Sequence, residues 1–415
     1  MKKILFVLVF TLVLSPVFCQ ETPSDADTLR KDALNVFMDA TDYIKKEIPY
    51  INYVRDRKVA DVYIIWTQES TGSGGSVSTF FIVGQGKYSG MTDTVKCNIS
   101  PDETTDLKRA KEVKGLKMGL VRYVAKTPLA QYMNINFSEP LSETVSTDKW
   151  DSWVYAVNLY AYIDGQSTYK INYLSGMLSA NRITEKSKFE SSVRLDIETD
   201  KIIYKELDFD TTYISIYKIK SCYLSYVKSL GNHWSTGASI NVRSFTYSNY
   251  DLSIKVAPGI EYDIFPYTES TRRILTFLYR AGLEINNYTE ETDRNKLKET
   301  VAFHSLGAHM SYIQKWGSIS TTLTWSNYFF DWSYNKLSLN TNTRLRIFKG
   351  VQFNIQGNVS LVHDQISLPL GNTSLEDVLL RRKEQKTTYS YYTSIGLTYT
   401  FGSIYNNAVN PRFDY

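Results

Sequence analysis

The sequence predicts an all-β transmembrane antiparallel β-barrel of about twelve strands, preceded by a small α+β unit with the element order β-α-β-β-β-α. Three observations predict it. From Trp153 onward, apolar and polar residues alternate with period two, in runs of about a dozen residues where a soluble strand usually has about 5–6. The chain holds 32 Tyr, 19 Phe and 7 Trp but only 10 Pro, a composition suited to a spanning sheet whose backbone bonds all close internally. Beyond the N-terminal segment no run of about 18 apolar residues occurs, so no helix is long enough to span a membrane.

Lys2 and Lys3 precede an apolar run from Ile4 to Leu14 and then Ser15-Pro16-Val17-Phe18-Cys19. This is the pattern of a secretory signal peptide over 1–19, cut before Gln20. Lipidation of Cys19 is the alternative, and the bulk of Phe18 speaks against it. Removing Lys2 and Lys3 lowers the formal charge from +4 to +2, which gives no electrostatic case for a nucleic-acid partner. Cys97 and Cys222 then remain. An oxidising compartment allows one disulfide between them but no disulfide framework.

Residues 20–31 read as a flexible leader and 32–136 as a water-soluble α+β domain. Leu34 to Met38 is a short buried strand. Thr41 caps a helix predicted over Asp42 to Val54, with Ile44, Ile48, Ile51 and Val54 at helical spacing and a kink at Pro49. Val59 to Trp66 and Val77 to Val83 are strands joined by a flexible Gly/Ser loop over 70–76, and a third strand lies around Asp93 to Ile99. Asp102 or Thr104 caps a second helix with Leu107, Ala110, Val113, Leu116, Leu120, Val121 and Val124 on one face, stopped at Thr127-Pro128. This element order resembles the small α/β domains of periplasmic accessory proteins, such as the N-terminal domain of the translocation protein TolB. The resemblance implies that 32–136 is a periplasmic domain that meets a protein partner.

A polar connector over 137–149 leads to the barrel, 150–403. Alternation is clear in Trp153–Ile163, Phe189–Thr199, Leu252–Ile264, Leu337–Ile347 and Val351–Leu361. Tyr169–Ile183, Tyr213–Leu230 and Leu297–Tyr312 lose parity midway, which predicts either bulges or different strand boundaries. A soluble sandwich also alternates, but the connections favour a barrel. Tight turns fall at Thr184-Glu185-Lys186, Gly231-Asn232, Tyr267-Thr268-Glu269, Lys315-Trp316-Gly317 and Phe348-Lys349-Gly350, all at one end. The long connections, Thr289–Glu299 and Asp364–Lys386, fall at the other. The short-turn end also receives the N-terminal domain and a tail over 404–415.

The last strand, Tyr389 to Phe401, has Tyr389, Tyr391, Ile395, Leu397, Tyr399 and Phe401 on one face and small polar residues on the other. Its Ser394-x-Gly396-x-x-Tyr399-x-Phe401 resembles the C-terminal recognition signal of bacterial outer-membrane β-barrels, although in that family the chain usually ends on the aromatic. The resemblance implies an outer-membrane location, insertion by the barrel-assembly machinery, contact with outer-membrane lipid, and an N-terminal domain in the periplasm. Thr387 to Phe413 also resembles the C-termini of barrel proteins from Bacteroidota and related bacteria. In architecture the chain is similar to the salt-induced outer-membrane proteins.

His233-Trp234-Ser235 is the one pattern with nucleophilic chemistry, because a His can take the Ser proton. It resembles the His and Ser, two apart on a strand, of the twelve-stranded outer-membrane phospholipases. Here parity puts Trp234, Thr236, Ala238, Ile240 and Val242 outward and both His233 and Ser235 in the lumen, whereas that family's pair faces lipid. The two residues are therefore read as closing a strand. His304 and His309 point to opposite faces with no Cys or carboxylate beside them, so no metal or other cofactor is predicted. Asp39, Asp42, Asp56 and Asp61 read as caps and loop ends. Gly84-Gln85-Gly86-Lys87-Tyr88 lacks the Ser or Thr and the upstream Gly of a phosphate loop.

The charges predicted to face the lumen are Arg194, Asp196, Glu198, Arg243, Lys255, Glu261, Asp263, Arg280, Glu284, Lys336, Arg344 and Arg346. Barrels of about eight strands are filled by side chains and those of about sixteen hold water, so these charges are expected mostly to pair and narrow the bore. Any pore would favour anions near Lys336, Arg344 and Arg346. Thr373-Ser374-Leu375-Glu376 is a capping-box pattern. It predicts a short helix with Leu375, Val378 and Leu379 on one side, lying over the mouth, in the bore or in the medium. The chain is thus read as a non-enzymatic envelope component, a narrow pore or structural barrel carrying a periplasmic interaction domain. A membrane lipid hydrolase using His233 and Ser235 is the alternative.

Overall fold

The computed structural model describes residues 32–71, 74–135, 148–206, 209–314, 316–348, 350–371, 383–402 and 412. The predicted signal peptide, the leader, most of the 137–149 connector, the Thr373–Glu376 capping box and nearly all of the tail lie outside the described residues.

The first unit contains β1 (Asn35–Phe37), α1 (Asp42–Glu47), β2 (Asn52–Tyr53), β3 (Val62–Ser70), β4 (Ser76–Gly84), β5 (Thr92–Ile99) and α2 (Thr105–Val124). The strands form one sheet in the order β2-β1-β3-β4-β5. β1 runs parallel to both β2 and β3, and the β3–β4 and β4–β5 pairs are antiparallel. Thr41 caps α1 as predicted, its Oγ1 accepting from the Ile44 N–H at 3.3 Å. The helix stops after six residues instead of running to Val54. Pro49 lacks an N–H and disfavours helix at the residue before it; Asn52–Tyr53 then pairs with β1 as a strand. Ile48 and Ile51 still reach the core, fully buried.

Thr104 caps α2, accepting from the Leu107 N–H at 3.4 Å. Val113, Leu116, Leu120 and Val124 are buried as expected, while Leu107 and Ala110 are exposed. Gly115 and Gly119 account for the shift, because they let the helix lie flat on the sheet. A Cβ at Gly115 would stand 2.4 Å from Cys97 Sγ, and one at Gly119 2.3 Å from Ile82 Cδ1. Burial in this contact, and secondarily the Glu112 charge, pushes the Cys97 thiol pKa up. Tyr123 donates to the Met91 carbonyl at 3.1 Å, and burial first, then Asp93, pushes its phenol up to about 12.

The helices cover only one face of this sheet. Val62, Ile64, Phe80 and Ile82 belong to the core beneath them. By parity Tyr63, Thr67, Thr79 and Phe81 look the other way.

The second unit is a meander of twelve antiparallel strands, the number counted from the sequence. They are β6 (Trp153–Gly165), β7 (Tyr169–Ile183), β8 (Ser187–Glu206), β9 (Phe209–Ser229), β10 (Trp234–Phe245), β11 (Tyr250–Asp263), β12 (Arg273–Tyr288), β13 (Lys298–Gln314), β14 (Gly317–Tyr328), β15 (Asp331–Phe348), β16 (Val351–Val362) and β17 (Tyr389–Tyr399). It is a single sheet, not two stacked ones. Its apolar face, with Leu178, Val193, Ile216, Leu283, Leu323 and Leu397 among many, is exposed instead of being tucked against a second layer.

Two expectations need correction. The sheet is not sealed, since β6 and β17 are its two ends and do not pair with each other. Both faces of these strands are open: inner-parity Tyr160 and Tyr392 are 57% and 64% exposed, beside outer-parity Leu159 and Tyr391 at 81% and 72%. Nor do bulges explain the lost parity in the segments within β7, β9 and β13, whose ladders run in unbroken register. The register shifts fall instead at Arg243/Phe245, Tyr250/Leu252, Asn327/Tyr328 and Arg346/Phe348. Parity is lost because inner positions carry apolar residues, namely Tyr173 and Met177 on β7, Ile219, Tyr223 and Val227 on β9, and Val301 and Phe303 on β13. Both faces then read as apolar.

Candidate functional site: the bore and its two ends

Register gathers the predicted lumenal charges on the inner face, but only two ion pairs form among them in the described residues. Arg194 meets Asp196 at 2.8 Å, and Asp196 also accepts from Ser175 Oγ at 2.6 Å and Tyr173 OH at 3.1 Å. Lys255 and Glu284 sit opposite each other on β11 and β12 and pair at 3.3 Å. Asn286 donates to Glu284 at 3.3 Å, and the Lys255 ammonium lies 3.8 Å from the Phe303 ring centre. The other charges are used differently. Arg243 stacks over Tyr250 at 4.5 Å. Asp263, fully buried, ties the β11–β12 turn by accepting from the Phe265 and Leu275 N–H groups at 3.0 and 3.1 Å. Arg280 and Glu261 line a cavity of about 80 Å³ beside Ser235. Glu198 lies beside Asp196 on the same β8 face, and Lys336 lies toward the far end of β15 from Arg344 and Arg346.

His233 and Ser235 share the inner parity but not a hydrogen bond. The imidazole Nδ1 is bonded to the Asp263 backbone oxygen at 2.8 Å. Ser235 Oγ lies 3.1 Å from Tyr267 OH and 3.4 Å from Glu261 Oε1. His233 is therefore not aligned to take the serine proton. His309 bonds Thr322 at 2.9 Å inside the bore. His304 is on the outer face, within 4.6 Å of the Phe329 ring, 5.0 Å of Trp325 and 5.6 Å of Trp332. Such an aromatic collar is what a barrel wears where lipid meets water. No group of three or more metal-ligating side chains occurs among the described residues. Of the N-terminal carboxylates, Asp56 accepts from the Lys58 N–H at 3.0 Å and Asp61 from the Asn35 N–H at 3.0 Å.

At the long-loop end the connection after β16 turns inward. Ile366 and Leu368 are 1% and 7% exposed, and Ile366 packs on the inner residues Ala257, Val301, Phe303 and Tyr328. Two other loops hold this segment. Asn249, at φ +61 in the left-handed region, donates to the Ser367 and Glu290 carbonyls, each at 2.9 Å, and accepts from the Glu290 N–H at 2.7 Å. The Asp293 N–H donates to Leu368 O at 2.8 Å and the Leu370 N–H to Glu291 O at 2.7 Å. Lys383 bridges to Glu290 at 2.8 Å. The sequence signal for this plug was Ile366-Ser367-Leu368-Pro369-Leu370, an apolar stretch just before the capping box.

At the short-turn end, the helix-free sheet face of the first unit meets the rim. The Arg346 guanidinium lies 4.6 Å from the Phe37 ring centre and that of Arg272 lies 5.3 Å from Phe81. Both ends of the bore are thus covered, one by its own loop and one by the N-terminal unit. On β17 the predicted assembly residues sit as parity requires. Ser394 and Gly396 are opposite Gln356 and Asn354, and Tyr399 stacks on Phe401 at 5.4 Å, both outward.

No protein-family model matches the chain, and no curated protein matches it. Among solved structures it is similar to the NanC porin in a rhombohedral crystal form, at 10% identity and a TM-score of 0.30, over 59% of this chain and 100% of that one. At that score the likeness supports no conclusion about transport or solute.

Proposed function

We propose that this chain is a non-enzymatic outer-membrane β-barrel protein whose bore is plugged at the outer mouth and whose N-terminal unit lies in the periplasm beneath the inner mouth. The observation that carries the reading is the broad, predominantly apolar exposed face of the twelve-stranded sheet. Contiguous apolar patches beyond a few hundred Å² rarely face water in a monomeric soluble protein, whereas lipid is the natural solvent for one that wraps a whole sheet. A bilayer also forbids free strand edges. Twelve strands, being even in number, present β6 and β17 to each other antiparallel, so the seam closes by ordinary antiparallel pairing once the sheet is in lipid. The outward aromatics at both ends fit the two interfaces. Exposed Met118, Tyr132 and Ile135 on the N-terminal unit leave a surface for a periplasmic protein partner.

The test is heat-modifiable migration of the membrane-extracted protein. The unboiled protein should run faster than the boiled one in detergent gels, because a closed barrel stays folded until heated. Identical migration of the two, from protein that fractionates with soluble material, would refute the reading.

A further inference from the structure

Where the sheet of the N-terminal unit meets the short-turn rim, the two surfaces line an open cleft of about 320 Å³. That is within the range of small-molecule pockets, about 300–1,000 Å³. Its wall brings together three arginines, Arg57 from the N-terminal unit and Arg344 and Arg346, two residues apart on β15. Only one carboxylate, Asp39, lines it with them. Among the described residues no salt bridge engages any of the three arginines. The Arg346 guanidinium lies over the Phe37 ring, 4.6 Å from its centre.

A second observation points the same way. Thr67 also lines the cleft, is 6% exposed, and its hydroxyl has no hydrogen-bond partner. Its cross-strand neighbour Thr79, fully buried, is unpartnered too. Buried hydroxyls are rarely left so, and this one belongs to a residue in the wall of a cleft rich in cations.

We propose that this junction is an anion-binding site for a small solute carrying two or more carboxylate or phosphate groups. Guanidinium forks bind both groups bidentately. With three cations against one carboxylate, a dianion balances the wall where a monoanion does not. The site is built from both units, so its occupation couples the N-terminal unit to the barrel rim, and it does not depend on whether the bore conducts.

The experiment is calorimetric titration of the purified full chain in detergent with inorganic pyrophosphate and, separately, with citrate. Saturable binding of one equivalent is expected for at least one probe, and the pair separates phosphate from carboxylate recognition. Arg57→Gln and Arg344→Gln should each weaken binding at least about tenfold, the scale of a lost charge-assisted bidentate contact. Thr67→Val, which keeps the side-chain volume, should weaken it several-fold. Lys114→Gln, on the exposed side of α2, should leave it unchanged. Each variant is first checked for heat-modifiable migration, and Thr67→Val carries the test if an arginine variant fails that check. Absence of saturable binding, unchanged affinity in the arginine and threonine variants, or an equal loss in Lys114→Gln would overturn the proposal.

Discussion

Replacing both Ile366 and Leu368 with aspartate is expected to convert a nearly silent barrel into a conducting one. The two side chains are among the most buried of the second unit, and burying each is worth about 1.5–3 kcal/mol. Two unpaired carboxylates in their place lose that gain and add the desolvation cost of a buried charge, several kcal/mol more. The segment then has no reason to stay in the bore. Asn249→Ala should have a milder effect of the same sign. It removes three hydrogen bonds that hold the plug and its neighbour loop, each worth about 1 kcal/mol net, so brief openings are expected instead of steady conductance. The measurement is single-channel recording in planar bilayers. If the double variant stays heat-modifiable yet is as silent as the wild type, Ile366 and Leu368 do not close the bore.

Replacing Tyr399 and Phe401 together with alanine is expected to remove the protein from the outer membrane. These rings stack on each other at 5.4 Å and are 62% and 78% exposed. They carry little of the internal packing, so their loss should hardly change the stability of a barrel already formed. What disappears is the aromatic pattern that, with Ser394 and Gly396, resembles the signal read by the assembly machinery. Immunoblots of membrane fractions decide the matter. Strong depletion of inserted protein is expected, and normal levels of heat-modifiable protein would mean that β17 is not what the machinery reads.

The strand count, the side of each tight turn and the outward face of β6, β8, β10, β11, β15, β16 and β17 were legible because the period of two is local. Each strand shows it without reference to its neighbours. Legibility failed where a residue answers to a distant partner. Val301 and Phe303 blur the pattern of β13 because they pack on Ile366, more than sixty residues away, so an apolar residue on the polar face looked like a bulge. The first helix was drawn too long because Ile48 and Ile51 keep helical spacing while Pro49 ends the helix and β1 takes Asn52–Tyr53 as a parallel partner. Leu107 and Ala110 seemed part of the buried face of α2, since nothing in a hydrophobic count credits Gly115 and Gly119 with deciding which side meets the sheet. Most of the predicted lumenal charges face inward by parity, but their partners were not readable. Asp263 serves a turn, Arg243 a tyrosine ring, and Arg344 and Arg346 a cleft shared with the N-terminal unit.

The most direct test of the whole account is disulfide formation across the seam. Single cysteines are placed in pairs along β6 and β17, with Cys97 and Cys222 replaced by serine, and the protein is expressed in cells. If the sheet closes in lipid, same-face pairs in one antiparallel register will cross-link, since directly opposed residues lie about 4.5–5.5 Å apart, and pairs on opposite faces will not. If no pair cross-links and both faces of β6 and β17 remain open to a membrane-impermeant maleimide, the twelve strands do not close into a barrel and the membrane reading falls.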